Sequence, residues 1–166
     1  MVIDLRQAFL SDRWERELAY DMDLSEVELD GVKPFCAPVK VRARLQSFAG
    51  SVLVEVELDF SVTMPCDRCC DLVTREFSPR FSHTVVRELV SGEDEDLIVA
   101  PEERLDLDGL LTEDILLDMP SKFLCKPDCK GLCPVCGKNR NREDCSCQRQ
   151  EGDPRLAALR QLLEDR

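Results

Sequence analysis

The ten cysteines constrain this chain more than any other feature, because eight of them stand at metal-ligand spacing. Six fall within twenty-three residues, in the order Cys125-x3-Cys129-x3-Cys133-x2-Cys136-x8-Cys145-x-Cys147, and Cys66 and Cys69 form a separate pair. Zinc takes four thiolates in a tetrahedron with bonds of about 2.3 Å, and cysteines two or three residues apart can hold one ion from a single turn. The pattern predicts a C-terminal zinc-binding lobe.

One stretch within the cluster, Cys133-Pro134-Val135-Cys136-Gly137, has the form of a zinc-ribbon knuckle. Pro134 stiffens the turn, and Gly137 can adopt the positive φ that points backbone N–H groups at sulfur. In a reducing compartment, clustered cysteines are metal ligands more often than disulfides. A closed four-thiolate site leaves no open coordination position, so the sequence predicts one or two structural Zn²⁺ ions.

Two divisions of the eight cysteines stay open from sequence. One gives a zinc ion to Cys133, Cys136, Cys145 and Cys147, and a second ion to Cys66, Cys69, Cys125 and Cys129. In that arrangement the second site joins the lobe to the sheet. The other is a two-metal cluster on the six lobe cysteines, with Cys66 and Cys69 left as free thiols or an occasional ligand pair. Cys36 and Cys70 have no partner at ligand spacing.

A redox interpretation competes for Cys66-Asp67-Arg68-Cys69. A catalytic C-x-x-C pair begins a helix, whose N-terminus lowers the pKa of the first thiol. This pair instead lies in the connection between two predicted strands, which disfavours dithiol catalysis. No catalytic residue, phosphate-binding loop or small-molecule site is predicted elsewhere, so we expect a protein that is not an enzyme.

Charge is unevenly distributed along the chain. The formal net charge is −12, but residues 121–150 carry seven basic and three acidic residues, which makes that segment +4 and the remainder −16. Cations near the cysteines can offset the −2 charge of a four-thiolate zinc site, or they can bind RNA phosphates. The candidate RNA contacts are Lys126, Lys130, Lys138, Arg140 and Arg142.

The length of 166 residues suits one core with a small appended module. We predict a sheet body with one helix over 1–120, a cysteine-rich zinc lobe over 121–150 and a C-terminal helix over 151–166. There is no apolar run of membrane-spanning length, and the first residues lack the basic and apolar order of a signal peptide. The expected location is therefore the cytoplasm.

The middle of the sequence alternates apolar and polar residues with the period of β-strands. Strands are predicted over 39–45 and 52–64, joined by a turn at 46–51, with Arg42 opposite Glu55 and Val41 opposite Val56. A third strand is predicted over 72–86, with an edge or bulge at Pro79. His83 falls on its apolar face, where a hydrogen-bonded structural role is expected. The alternation of Leu18, Tyr20 and Met22 favours one further strand.

Helical spacing follows a charged loop predicted over 91–104. Leu111, Ile115 and Met119 recur every four residues, Asp108 is a candidate cap, and Pro120 ends the helix predicted over 105–119. Asp153-Pro154 opens the C-terminal leucine-rich helix. The expected fold class is α+β, an antiparallel meander packed with one or two helices and carrying the cysteine lobe.

The order of these features resembles the YceD family, the large ribosomal RNA subunit accumulation proteins of bacteria and plastids. The resemblance covers about residue 36 to the C-terminus. It rests on the strand that ends in Cys66-Asp67-Arg68-Cys69, the helix with Asp108-Gly109-Leu110-Leu111 and Glu113-Asp114-Ile115-Leu116-Leu117, the run Cys129-Lys130-Gly131-Leu132-Cys133-Pro134, Cys136-Gly137, Asn139, Cys145-Ser146-Cys147 and Asp153-Pro154-Arg155-Leu156.

The resemblance implies a cytoplasmic, non-enzymatic factor in ribosome biogenesis that supports synthesis, processing or stability of large-subunit (23S) rRNA. The partner is then the pre-ribosomal large subunit, reached through rRNA or through a basic ribosomal protein, with no membrane and no small-molecule substrate. The alternative is a zinc-stabilised protein-interaction adaptor whose effect on rRNA is indirect. The acidity of the body favours a protein contact.

Overall fold

The computed structural model describes residues 1–88 and 97–147, and it confirms the α+β class. The strands are β1 Val2–Asp4, β2 Glu15–Met22, β3 Val39–Phe48, β4 Ser51–Pro65, β5 Leu72–Phe77, β6 Arg80–Val86, β7 Leu97–Val99 and β8 Arg104–Asp106. The helices are α1 Arg6–Leu10 and α2 Leu107–Asp118. The predicted helix over 151–166 lies outside the described residues.

The larger sheet in the described residues has six strands, in the order β2-β3-β4-β6-β7, and β5 also pairs with β4. The predicted N-terminal strand is confirmed as β2, which pairs antiparallel with β3. β7 lies parallel to β6 and occupies part of the predicted 91–104 loop, so that part of the prediction was wrong. Three residues are too few to show an alternating pattern in the sequence.

The β3–β4 hairpin is confirmed, but its predicted register was wrong by two residues. Arg42 pairs with Glu57 rather than Glu55, because β3 continues to Phe48, which pairs with Ser51. The connection is therefore two residues, Ala49 and Gly50, both with positive φ (48° and 80°). A shift of two leaves every side chain on its predicted face, so the buried alternation of both strands survives.

The predicted third strand over 72–86 is two strands. Ser78 and Pro79 separate β5 from β6, because proline has no N–H for a ladder. Pro79 still accepts a hydrogen bond from the Leu58 N–H at 3.1 Å through its carbonyl oxygen. The long strand β4 therefore pairs with both β5 and β6.

Helix α2 begins two residues later than predicted. Residues 104–106 form β8, which pairs antiparallel with β1 in a separate two-stranded sheet. Asp106 is consequently the N-cap, and the prediction of Asp108 as the cap was wrong. Asp108 lies in the first turn, where its carboxylate accepts a 2.7 Å hydrogen bond from the Tyr20 hydroxyl.

Leu111 and Ile115 of α2 are fully buried in the hydrophobic core with the inward side chains of β3 and β4. His83 lies at the edge of this core and shares a 2.8 Å hydrogen bond with the Asp114 carboxylate of α2. The expected structural role of His83 is confirmed by this bond. Across residues 1–88 and 97–147, neither helix has the length and apolar character needed to cross a membrane.

The chain divides into two compact units. The first unit contains Met1–Met64 and Leu72–Phe123, and it includes both sheets and both helices. The second unit contains Pro65–Asp71 together with residues 124–147 of the described chain. The turn between β4 and β5 is thus part of the second unit, whereas the sequence division placed it within the 1–120 body.

Candidate metal centre

The second unit has almost no conventional hydrophobic core. Its buried apolar residues, within the described residues, are all cysteines: Cys66, Cys69, Cys129 and Cys133. A segment of this size cannot be held together by so little apolar burial alone. Its order must come from polar contacts and from whatever the sulfur atoms bind.

Four sulfur atoms converge in a first group, formed by Cys66, Cys69, Cys125 and Cys129. Their Sγ atoms all lie within 4.8 Å of one another. The Sγ atoms of Cys66 and Cys129 are 3.8 Å apart, and those of Cys69 and Cys125 are 3.6 Å apart. A zinc tetrahedron with bonds of about 2.3 Å has sulfur–sulfur edges of about 3.8 Å, and a disulfide would be about 2.05 Å. The group therefore has the dimensions of a four-thiolate metal site.

A second group is formed by Cys133, Cys136, Cys145 and Cys147, and its Sγ atoms also lie within 4.8 Å of one another. Here Cys133 is buried, Cys145 is half-buried, and Cys136 and Cys147 are exposed. In the first group, by contrast, only Cys125 is exposed. The two groups could each hold one metal ion, and the second is the more accessible to solvent.

The two C-x-x-C turns have the same backbone hydrogen bonds. In the 66–71 turn, the Cys70 N–H donates to the Cys66 carbonyl oxygen at 2.9 Å, and the Cys66 N–H donates to the backbone carbonyl oxygen of Asp71 at 2.8 Å. In the 133–138 turn, the Gly137 N–H donates to the Cys133 carbonyl oxygen at 2.9 Å, and the Cys133 N–H donates to the Lys138 carbonyl oxygen at 2.8 Å. Each turn is therefore a knuckle of the kind that the sequence predicted only for the second.

Both knuckles place a left-handed residue directly after the second cysteine. Gly137 has a φ of 72°, as its predicted role requires, and Cys70 occupies the equivalent position with a φ of 59°. This conformation turns the preceding N–H groups toward the first sulfur of the knuckle. Cys70 belongs to neither group and is exposed, as is Cys36.

Backbone N–H groups favour the thiolate form of the first cysteine in each knuckle. Burial acts to raise the pKa of Cys66, but the N–H groups of Arg68, Cys125 and Cys69 outweigh it and lower that pKa to about 6. The N–H groups of Cys136 and Val135 likewise lower the pKa of Cys133 to about 6. These two sulfurs are prepared for a cation.

Other sulfurs resist ionisation because of their neighbours. The Asp71 N–H favours the Cys69 thiolate, but burial and the surrounding sulfurs prevail and raise the pKa of Cys69 to about 12. The sulfur of Cys136 is the main cause that raises the pKa of Cys147 to about 12. Four thiolates so close together need a cation to offset their repulsion, and a divalent metal ion supplies that charge. The donor set therefore fits a soft metal such as zinc.

Polar side chains join the 66–71 knuckle to the rest of the second unit. The Asn139 amide donates to one carboxylate oxygen of Asp71 at 3.0 Å, and Arg142 donates to the other at 2.9 Å. Arg68 donates to the Cys129 carbonyl at 2.9 Å. These three hydrogen bonds join the segments that carry the first group, and none of them involves a sulfur atom.

Asn141 reaches a sulfur directly. Its amide donates to Cys129 Sγ at 3.2 Å, and its side-chain oxygen accepts the Lys130 N–H at 2.9 Å. The first bond helps to lower the pKa of Cys129, although burial acts in the opposite direction. Sequence reasoning missed the supporting roles of Asp71, Asn139 and Asn141, because their spacing carries no ligand pattern.

Close backbone packing completes the first group. The Leu132 N–H donates to the Arg68 carbonyl oxygen at 2.9 Å. A Cβ atom on Gly131 would lie 2.9 Å from that same oxygen, and Gly131 has a φ of 70°. Glycine is therefore required here both by space and by conformation.

The five candidate RNA contacts are all exposed. Two of them have acidic partners: Lys138 lies 3.3 Å from Glu143, and Arg142 lies 2.9 Å from Asp71. Lys126, Lys130 and Arg140 form no ion pair within the described part of the chain. Lys130 and Arg140 line one cleft of about 320 Å³ beside the second group.

Comparison with known proteins places these features in a wider context. The family model described as "Large ribosomal RNA subunit accumulation protein YceD" matches residues 54–163, which include all eight cysteines of the two groups. No solved structure gives a significant match.

Three of the similar proteins come from Bacillus subtilis, Mycobacterium tuberculosis and Arabidopsis thaliana. The uncharacterized protein YlbN of Bacillus subtilis is 26% identical over 130 residues, which cover 77% of this chain and 76% of that protein. The uncharacterized protein Rv2926c of Mycobacterium tuberculosis is 27% identical over 124 residues, which cover 72% of this chain and 59% of the length of that protein. The chloroplastic "Large ribosomal RNA subunit accumulation protein YCED homolog 1" of Arabidopsis thaliana is 26% identical over 133 residues. The match covers 62% of this chain and 41% of the length of that protein.

Proposed function

The chain belongs to the YceD family, and on that premise we propose that it is a non-enzymatic cytoplasmic factor that supports accumulation of the large-subunit (23S) rRNA. The observation that carries the proposal is the family match over residues 54–163, which includes parts of both compact units. The description of the plastid relative supports the same direction. Catalysis has no support in the metal centre, because a closed four-thiolate site offers no position for a substrate.

Depletion of the protein in its own cells tests this proposal. The expected result is a lower ratio of 23S to 16S rRNA, restored by the wild-type gene. An unchanged ratio, together with normal large-subunit particles in sucrose gradients, would contradict the proposal. Measuring both RNAs in one sample separates a specific loss of the large-subunit RNA from slow growth.

We further propose that the two cysteine groups hold one structural Zn²⁺ each. The sulfur–sulfur separations of 3.6 and 3.8 Å in the first group support this. So does the finding that, among the described residues of the second unit, the buried apolar side chains are all cysteines. When bound, zinc would cross-link four thiolates and offset their charge. The residues of the chain orient those sulfurs through knuckle N–H groups and through Asn141.

Charge favours a protein contact over direct RNA binding. The described residues of the second unit carry six basic and five acidic side chains, a net of +1. Two four-thiolate zinc sites would each contribute −2 and bring that unit to −3. The first unit, with twelve basic and twenty-one acidic described residues, is −9. Phosphate binding needs cationic surface, so the partner that these charges suit is a basic protein of the pre-ribosomal large subunit.

Direct RNA binding remains a second candidate because Lys126, Lys130 and Arg140 have no acidic partner within the described residues. Ultraviolet crosslinking of the protein in large-subunit precursor particles distinguishes the two. On the protein-contact proposal, replacing all three cations by alanine leaves co-sedimentation with the particles unchanged. Crosslinks to rRNA that disappear in this triple variant would instead establish the RNA interface.

A further inference from the structure

The exposed side of helix α2 combines apolar and acidic side chains. Leu117 is 85% exposed and Leu116 is 36% exposed, although both lie on the helix whose Leu111 and Ile115 are fully buried. Glu113 precedes Leu116 and Leu117 by three and four residues, so it lies on the same side of the helix. Asp118 follows Ile115 by three residues and therefore belongs to the core-facing stripe, but it is exposed at the C-terminal end of the helix, next to Leu117. We call Glu113, Leu116 and Leu117, together with the exposed Asp118 at the end of the helix, the α2 face.

The carboxylates of the α2 face have no ion-pair or hydrogen-bond partner within the described part of the chain. Asp114 is bound to His83, and Asp108 contacts Tyr20 and the amino group of Met1. The side chains of Glu113 and Asp118, by contrast, form no ion pair or hydrogen bond among residues 1–88 and 97–147. No lysine or arginine occurs between Arg104 and Lys122, so the helix has no basic side chain of its own to neutralise them.

The charge of this face excludes most occupants of an apolar surface. A second copy in a symmetric dimer would bring the same carboxylates together, and like charges oppose such contact. Anionic phospholipid headgroups and RNA phosphates carry the same sign as the face and would be repelled. A lysine- or arginine-rich protein segment that also presents an apolar side chain satisfies both the leucines and the carboxylates.

We propose that the α2 face is a docking surface for such a basic, apolar-bearing segment of a partner protein. The inference builds on the proposed function, since it gives a location to the predicted basic protein contact. Leu117 is the apolar anchor, and Glu113 and Asp118 provide the charge that selects the partner and orients it. Because Leu111 and Ile115 anchor helix α2 in the core, the residues of the face are held in position before binding.

A defined probe tests the chemistry of this face. The probe is a fluorescein-labelled helical peptide with lysines and leucines on one side, and anisotropy measures its binding to the full-length chain. The variant L116S/L117S removes the apolar contact, and E113K/D118K reverses the charge. Each should weaken binding about tenfold or more, the effect of losing a buried leucine or a desolvated charge pair.

Matched controls separate this face from the general acidity of the chain. D12K/E28K changes the net charge by the same amount at exposed positions elsewhere, and L10S removes a leucine that is 79% exposed. Both controls should bind the peptide like the wild type. Equal weakening by D12K/E28K and E113K/D118K, or no weakening by L116S/L117S, would overturn the proposal. Equal binding of a peptide with glutamate in place of lysine would overturn it as well.

The natural partner can be identified by photocrosslinking from a photoreactive amino acid at position 117, with position 10 as the control site. The expected crosslink in large-subunit precursor particles is to a basic protein segment, and it is absent from position 10. Crosslinks to rRNA or equal crosslinking from both positions would contradict the docking surface. If L116S/L117S still restores 23S rRNA in depleted cells, the docking surface fails while the proposed function stands. If the wild type does not restore the RNA, the proposed function itself fails.

Discussion

At the residue scale, Cys70 and Gly137 occupy the same position in two equivalent knuckles. Both adopt left-handed φ values, of 59° and 72°, directly after the second cysteine of a C-x-x-C pair. Glycine reaches this conformation without cost, whereas a side chain is strained there by about 1 kcal/mol. Cys70 belongs to neither sulfur group, so its thiol does not explain the strain.

Replacing Cys70 by glycine should therefore stabilise the zinc-loaded second unit, by up to about 1 kcal/mol. Thermal unfolding of C70G beside a C36S control measures the change, because Cys36 is also exposed and outside both groups. The metal content should be unchanged in both variants. A lower midpoint for C70G, or loss of a metal ion, would show that the Cys70 side chain has a role of its own.

The Asn141 side chain donates a hydrogen bond to a sulfur of the first group, at 3.2 Å from Cys129 Sγ. The variant N141A removes this N–H donor and leaves the Lys130 N–H without its partner. We expect the metal affinity of the first site to fall about 10- to 100-fold, the usual effect of removing an outer-shell hydrogen bond. Competition with a chromophoric chelator measures it.

The matched control for N141A is R140A, since Arg140 is adjacent and exposed. R140A should release metal like the wild type. Equal affinities for N141A and R140A would mean that the bond to Cys129 does not support the site.

At the element scale, the β3–β4 hairpin is set by a two-residue turn that requires two positive φ values, at Ala49 and Gly50. Turns of this kind favour asparagine or aspartate followed by glycine. The turn between Leu29 and Val32 has that composition, with Asp30 and Gly31 at φ values of 50° and 79°. Ala49 is thus a suboptimal residue in an otherwise regular hairpin.

The variant A49N should raise the stability of the first unit by about 0.5 to 1 kcal/mol, because asparagine tolerates the left-handed region. Denaturant unfolding followed by the single tryptophan, Trp14, reports this unit. The control A37N changes an exposed alanine outside the turn and should have little effect. A destabilised A49N protein would contradict the turn assigned here.

The same hairpin explains what could be predicted from the sequence. Alternation of apolar residues identified β3 and β4 and the faces they bury, because a half-buried strand requires that pattern. It could not fix the register, since a shift of two residues preserves both faces. Ala49 does not signal a positive φ, so the tight turn was missed. The short strands β7 and β8 and helix α1 contain too few residues for a periodic signal.

For the candidate site, cysteine spacing identified the eight sulfurs that could bind metal, because knuckles bring cysteines to one ion, but it left their division between two ions open. The structure brings all eight together in two groups of four, as in one of the two divisions that the sequence left open. The supporting side chains of Asp71, Asn139 and Asn141 could not be predicted, since they act through contacts between distant segments.

At the scale of the whole molecule, the two units differ in what stabilises them. The first unit buries a continuous cluster of aliphatic and aromatic side chains across its sheets and helices. The buried apolar residues of the second unit, as far as it is described, are cysteines. Metal removal should therefore affect the second unit and leave the first folded.

A chelator titration followed by hydrogen exchange tests this difference. Protection should be lost first around Cys133–Cys147, where two of the four sulfurs are exposed, and then around Cys66 and Cys129. Strands β3 and β4 should keep their protection throughout. Simultaneous loss of protection across Val52–Phe60 would show that the two units are one cooperative structure.

The second unit is expected to depend on two metal ions held by eight thiolates. Mass spectrometry under non-denaturing conditions, on reduced protein, measures the metal content per chain. We expect two zinc ions in the wild type and in C36S, and one in C129S and in C133S, which interrupt one group each. A wild-type protein that contains no metal while residues 124–147 remain ordered would contradict the account.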